Sequence, residues 1–171
     1  DNGKLEETQV FTAKPGSGPR HIAFHPNGKF AYVMTELSSE VIVLYYNEGD
    51  GSFTAQQYIS AIPEDFKGGN DSSAIHISSD GKHVYAGNRG HNSIAVFEVN
   101  QESGQLNFVE WTSTEGNWPR DFVLDPTEEF LVATNQKSNT MTLFSRDKST
   151  GKLALLQSGV KVPEPVCVKF L

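Results

Sequence analysis

The sequence predicts an all-β fold made of repeated four-stranded antiparallel sheets, and three observations carry that reading. First, short runs rich in β-branched and aromatic residues are separated by Gly, Asn, Asp and Pro, and no window sustains a three-to-four periodicity. Second, one pattern recurs. In Gly18 to Glu36, GPRHIAFHPNGKFAYVMTE, a Pro-Arg pair opens an apolar strand, a Pro-Asn-Gly-Lys turn reverses it, and a second apolar strand ends on a charged residue. Ser73 to Arg89, SAIHISSDGKHVYAGNR, and Arg120 to Gln136, RDFVLDPTEEFLVATNQ, repeat the pattern. Third, the third strand of each unit is followed by the same step, seen as GSF, GQL and GKL. Arg20 and Arg120 lie 100 residues apart, two units of about 50. That period suits the blades of a β-propeller around a central channel, whereas a β-sandwich leaves the recurrence unexplained.

Taken in order, residues 5–13, LEETQVFTA, read as an edge strand leading into the loop KPGSG. The first blade, about 18–60, has strands at His21 to Phe24, Phe30 to Thr35, Val41 to Tyr46 and Phe53 to Ile59. A polar, glycine-bearing insertion, SAIPEDFKGGNDS, follows; on a repeat scaffold it is either a loop near the binding face or a plain surface excursion. The second blade, about 72–113, has strands at Ala74 to Ser78, His83 to Gly87, Ser93 to Val99 and Leu106 to Thr112. The third, about 118–159, has strands at Asp121 to Leu124, Phe130 to Thr134, Thr140 to Ser145 and Leu153 to Ser158. Residues 165–171, PVCVKFL, read as the opening strand of a further blade, so 1–171 is expected to be part of a single propeller domain.

Composition narrows the function. With 37% hydrophobic and 20% charged residues the chain can build a packed core. A net charge of -7 argues against nucleic acid as a partner, because phosphate binding needs a basic stripe; it leaves room for a small anion held by a few focused arginines. No run approaches the roughly 20 apolar residues of a membrane helix, and the polar start DNGKLEETQVF carries no signal-peptide pattern, so a cytoplasmic protein without a membrane partner is expected. The single cysteine, Cys167, sits in an apolar run and reads as a buried structural thiol. His25, His83 and His91 lie beside turns and are expected to face solvent. The histidines lack metal-ligand spacing, so neither a metal nor another cofactor is expected.

The segments GPRHIAFHPNGKFAYVMTEL, AIHISSDGKHVYAGNRGHNSIAVFEV and WPRDFVLDPTEEFLVATNQKSNTMTLF resemble the lactonase family of seven-bladed propellers, which is similar to carboxy-muconate lactonizing enzymes. The resemblance implies the C-terminal half of a seven-bladed ring. It also implies a hydrolase acting on a small anionic sugar lactone, 6-phospho-D-glucono-1,5-lactone above all. Cycloisomerisation of a carboxylated muconate and a non-catalytic scaffold are the alternatives. It further implies that missing N-terminal blades, or neighbouring chains, cover the open blade faces.

Aligned on their turns, the repeats place Arg20, Ser73 and Arg120 at one position and Glu36, Arg89 and Gln136 at another. Arg20, Glu36 and Arg89 match the family's pocket motifs; His21, His76, Arg120 and Gln136 join them as further candidates. Arginine forks suit a phosphate or carboxylate, so Arg20, Arg89, Arg120 and Gln136 are assigned to substrate binding. Ring opening needs an activated water, for which Glu36, His21 and His76 are the catalytic candidates. No G-x-S-x-G nucleophile turn is present.

Overall fold

The computed structural model describes residues 3, 4, 7 and 9–170 and arranges them as three separate four-stranded antiparallel sheets. The first contains β1 (Pro19–Phe24), β2 (Phe30–Thr35), β3 (Glu40–Asn47) and β4 (Ser52–Ser60). The second contains β5 (Asp71–Ile77), β6 (His83–Arg89), β7 (Ser93–Val99) and β8 (Leu106–Ser113). The third contains β9 (Pro119–Leu124), β10 (Phe130–Asn135), β11 (Thr140–Arg146) and β12 (Leu153–Lys161). In every sheet spatial order equals chain order, the meander expected when short turns join antiparallel neighbours. The twelve strands of the three units stand where the residue pattern put them, to within a few residues at each end. None of the described residues is helical, so none forms a helix long and apolar enough to cross a membrane.

The first strands of the three blades, β1, β5 and β9, lie side by side and form the inner wall. The blades stack face to face, and their seams are the core. In the first seam Tyr32, Met34, Val41 and Val43 pack on Ile75, Val84, Ala95 and Phe97. In the second, Ala74, Tyr85, Ile94 and Val96 pack on Phe122, Leu131, Ala133 and Phe144. Because the middle blade faces a neighbour on both sides, β7 reads IAVF through its buried centre rather than alternating.

The recurrent glycine step has a physical reason. Gly104 (φ +72) and Gly151 (φ +74) take the left-handed backbone that glycine adopts without penalty. A Cβ on Gly104 would strike the Phe30 ring, and one on Gly151 the His83 ring, each in the preceding blade. Their carbonyls accept bonds from Tyr32 Oη at 3.0 Å and Tyr85 Oη at 2.8 Å, so each turn latches onto the blade before it. At the opposite rim, Asn88 Nδ2 donates to the Ala61 carbonyl (2.8 Å) and Asn135 Nδ2 to the Thr114 carbonyl (3.1 Å), tying each blade to the tail of the previous one.

Four expectations are corrected. Of the edge strand at 5–13, Leu5, Glu6 and Thr8 lie outside the described residues, and 9–13 form no strand; Phe11 and Ala13 instead pack on Ala31, Ile42 and Leu44. Residues 165–170 form no strand either, and Leu171 lies outside the described residues. A strand is defined by its ladder, and neither segment has a ladder partner among the described residues. Cys167 is exposed, not buried, because its segment runs beside the inner wall instead of entering a seam. His25 and His83 are buried, at 5% and 2% exposure, because the turns they flank interlock with the next blade's turns: His25 Nε2 bonds the Gly81 carbonyl at 3.1 Å. His91 is half-buried.

Candidate functional site

Each inner strand begins with an interruption of its ladder. The register skips Arg20 between Pro19 and His21, skips Ser73 and Ala74 between Ser72 and Ile75, and skips Arg120 between Pro119 and Asp121. A bulge re-aims the side chain of the unpaired residue, and at Arg20 and Arg120 it turns a guanidinium toward the cleft. Pro before each arginine suits that place, since it has no N–H to give to the ladder.

The second strands bring up the other half of the constellation. Glu36 follows β2 in the first blade and Arg89 ends β6 in the second; their ion pair bridges the first seam. Arg89 is 5% exposed at its side chain, and it also donates from Nε to the Asp71 carbonyl (3.2 Å) and from Nη2 to the Ser72 carbonyl (2.9 Å), so one edge of its fork is held. Arg20 Nε lies 3.8 Å from the second oxygen of Glu36, while Nη1 donates to the Ser73 carbonyl (2.8 Å) and to His21 Nε2 (3.0 Å). The bond from Arg89 holds the Glu36 carboxyl below its usual range. Burial, with Arg89 next, lowers the Arg20 pKa, and burial together with Arg20 lowers that of His21.

Beside this group an open cleft of about 680 Å³ runs along the inner wall, lined by Arg20, His21, His76, Arg120, Asp121 and the 166–169 segment. His76 sits edge-on to Phe122 at 4.9 Å, with Nε2 3.9 Å from Asp121 Oδ1. Asp121 Oδ2 accepts the Val168 N–H at 3.0 Å. Burial would raise the Asp121 carboxyl, but the Val168 N–H it accepts, with His76 and the Cys167 thiol close by, outweighs it and the net displacement is downward. Arg120 reaches Gln136 Oε1 at 3.4 Å within the third blade.

Of the residues singled out in the sequence, Arg20, His21, His76 and Arg120 share the cleft. Glu36 and Arg89 stand at its end and meet it through Arg20; Gln136 meets it through Arg120. Asp121, which lines the cleft, was missed. Asp121 follows Arg120 as His21 follows Arg20, so the repeat itself held the signal. The insertion before β5 packs on the site side: Asn70 Oδ1 accepts the His91 N–H at 3.1 Å, next to Arg89. Among the described residues no three or more His, Cys, Asp or Glu side chains are placed to hold a metal ion.

Comparison with known proteins matches residues 1–170 to the family described as lactonase, 7-bladed beta-propeller. The chain belongs to the lactonase family. This lactonase chain is 62% identical over 170 residues to the 6-phosphogluconolactonase of Bacillus subtilis, covering 99% of the chain and 49% of that protein. A crystal structure of a protein from Lactobacillus plantarum superposes with a TM-score of 0.97 at 47% identity, over 99% of this chain and 49% of that one. A periplasmic gluconolactonase from Pseudomonas aeruginosa superposes with 0.89 at 39% identity, over 94% and 44%. The lactonase chain thus spans about half the length of the relatives it matches. Its three sheets are propeller blades of that family.

Proposed function

We propose that these residues form one side of the active-site channel of a cytoplasmic 6-phosphogluconolactonase, the remaining blades of a seven-bladed ring supplying the other side. The observation that carries this reading is the set of guanidinium groups around one open cleft, Arg20 and Arg120 facing it and Arg89 braced behind. The 62% identity to a protein named for that activity supports the choice of lactone.

Hydrolysis requires water to add to the lactone carbonyl, the carbonyl oxygen to carry negative charge, and the ring oxygen to leave with a proton, giving a hydroxy acid. Arg20 and Arg120, permanently charged and planar, are assigned to the anion: the phosphate on the substrate or the oxyanion as it forms. His21 is fixed as a donor, because arginine only donates; Nε2 is therefore the acceptor and the proton resides on Nδ1. That N–H is assigned a hydrogen bond to the departing ring oxygen, whose proton is returned by the base that took it from water. His76 is assigned as the base that takes a proton from water, with the Asp121 carboxylate to orient it and to stabilise the imidazolium. Glu36 and Arg89 neutralise each other and keep Arg20 in place, and Gln136 does the same for Arg120. A δ-lactone is reactive enough that no covalent nucleophile is needed.

The test is hydrolysis of freshly prepared 6-phosphogluconolactone by the intact protein, read against the spontaneous rate. Turnover well above that rate is expected, with His76→Asn lowering kcat about 10²- to 10⁴-fold and Arg120→Met acting mainly on KM. An intact protein no faster than the buffer would overturn the reading and leave a binding scaffold.

A further inference from the structure

Among the described residues Trp118 is the one aromatic residue with a left-handed backbone, at φ +65. Its counterpart in the first blade is Gly18, at φ +66. The equivalence is set by bonding: the Gly18 carbonyl accepts the Glu36 N–H (2.7 Å) as the Trp118 carbonyl accepts the Gln136 N–H (3.1 Å). Glycine takes that conformation freely, whereas a bulky side chain there is strained and persists only where its surroundings impose it. They do so here. The Trp118 N–H is pinned to Asn92 Oδ1 of the second blade at 2.8 Å, and the carbonyl is pinned to Gln136. The ring held in this way lies with its centroid 5.5 Å from Cζ of Arg89 and 3.1 Å from Nζ of Lys137. No hydrophobic seam claims the indole.

We propose that Trp118 is a positioning residue of the site, its strained indole pressing on the Arg89 guanidinium from the third blade and so setting the Arg89–Glu36 pair that steadies Arg20. The physics is short-ranged. A guanidinium within about 6 Å of an indole face is attracted to it, and Arg89 has Nε and Nη2 committed to Asp71, Ser72 and Glu36, so the ring acts on a fork already held along one edge. Three blades then meet on one ion pair, with Glu36 from the first, Arg89 from the second and Trp118 from the third. The kinetic part rests on the lactonase reading given above; the geometric part does not.

The experiment uses three variants of the intact protein. Trp118→Gly copies the first blade and removes both ring and strain; Trp118→Leu keeps bulk and strain without a π face; Trp118→Phe keeps a π face. Carboxyl-carbon NMR follows the titration of Glu36, which is held low first by the bond from Arg89 and further by the charges of Arg89, Arg20 and Arg120. In Trp118→Gly and Trp118→Leu the Glu36 titration is expected to move up toward the ordinary carboxylate range, and kcat/KM on 6-phosphogluconolactone to fall about 10- to 100-fold, the size of loss that slight misplacement of site groups produces. Trp118→Phe is expected to restore both. Trp118→Gly is expected to melt within a few degrees of wild type, lost packing being offset by released strain; if it does not fold, Trp118→Leu carries the test. A Glu36 titration unchanged in Trp118→Leu, or a Phe variant that matches Leu, overturns the proposal. A wild-type protein that hydrolyses nothing would overturn the lactonase reading, while the Glu36 titration would still decide the role of Trp118.

Discussion

At the rim away from the cleft, the first seam closes with Phe30 of the first blade and Val99 of the second, both in its apolar cluster. At the same level of the second seam His83 takes the place of Phe30 and Arg146 that of Val99. The match is shown by the strand-end bonds, Val99 N–H to the Lys82 carbonyl and Arg146 N–H to the Glu129 carbonyl, both 2.8 Å. Arg146, its side chain 1% exposed, donates to Tyr85 Oη (2.6 Å) and His83 Nδ1 (3.3 Å) and pairs with Glu128 at 3.5 Å. One repeat geometry therefore accepts two fillings. The tyrosine latch and the glycine it binds recur in both seams, so the backbone of the blades is set by them; what fills the space beneath is free to be apolar or ionic. The two fillings differ in consequence, because trimming one member of an apolar pair leaves a cavity that its partner can relax into, whereas trimming one member of an ionic pair leaves a charge without its partner as well.

The sharpest test removes that partner. Arg146→Ala is expected to destabilise the intact protein by about 3–5 kcal/mol in denaturant melts, since it leaves the partly buried Glu128 carboxylate with the Ser79 N–H alone and Tyr85 Oη and His83 Nδ1 without a donor. The triple variant His83→Phe, Glu128→Gly, Arg146→Val rewrites the second seam as a copy of the first. Glycine belongs in it because Glu128 (φ +57) stands where Gly28 and Gly81 stand in the other blades. That variant is expected to recover at least the wild-type stability; a triple variant as weak as Arg146→Ala would show that the seams are not interchangeable.

A smaller difference is expected between the two latches. Tyr32→Phe removes one neutral bond, to Gly104, and should cost about 1 kcal/mol. Tyr85→Phe removes the bond to Gly151 and also leaves Arg146 Nε without its acceptor, so about 2–3 kcal/mol is expected. Paired melts of the two variants check this, and equal losses would mean that Arg146 draws nothing from Tyr85.

The same contrast explains what could be read from the residues alone. The strands were legible because each is bounded by turn residues and because three copies of one pattern check each other. The face-to-face chemistry of the seams was not, since a turn seen in isolation gives no sign that the next blade covers it. That is why His25 and His83 read as exposed and are buried. For the site, alignment of Arg20 with Arg120 and of Glu36 with Arg89 located the rim where they converge. It gave no account of the ladder interruptions that aim the two cleft arginines, because Pro-Arg at a strand start does not announce a bulge. Trp118 was hidden for the opposite reason: its residue type contradicts the backbone it occupies, and only the bonds to Asn92 and from Gln136 reveal why it stays there.

The smallest expected effect is on the pH dependence of the second seam. Burial, then the neighbouring Arg146 guanidinium, lowers the pKa of His83 from its ordinary 6.5, against opposing pulls from Asp80 and Glu98 and a small further push from Lys82. The folded protein therefore resists a proton that the unfolded chain takes up near pH 6.5. Stability from this group is fully present above that pH. As the pH drops below it, the unfolded state binds more protons than the folded one and stability falls, until the depressed folded pKa is reached and the loss levels off. His25, whose pKa burial also lowers, acts with the same sign from the first seam, and it is unchanged in the triple variant. The difference between wild type and triple variant thus isolates the second seam. Melts between about pH 7.5 and about pH 5.5 should show the wild type losing more stability than the triple variant. Parallel losses would place the acid sensitivity in residues common to both proteins, His25 first among them, and would leave the ionic filling without a pH signature of its own.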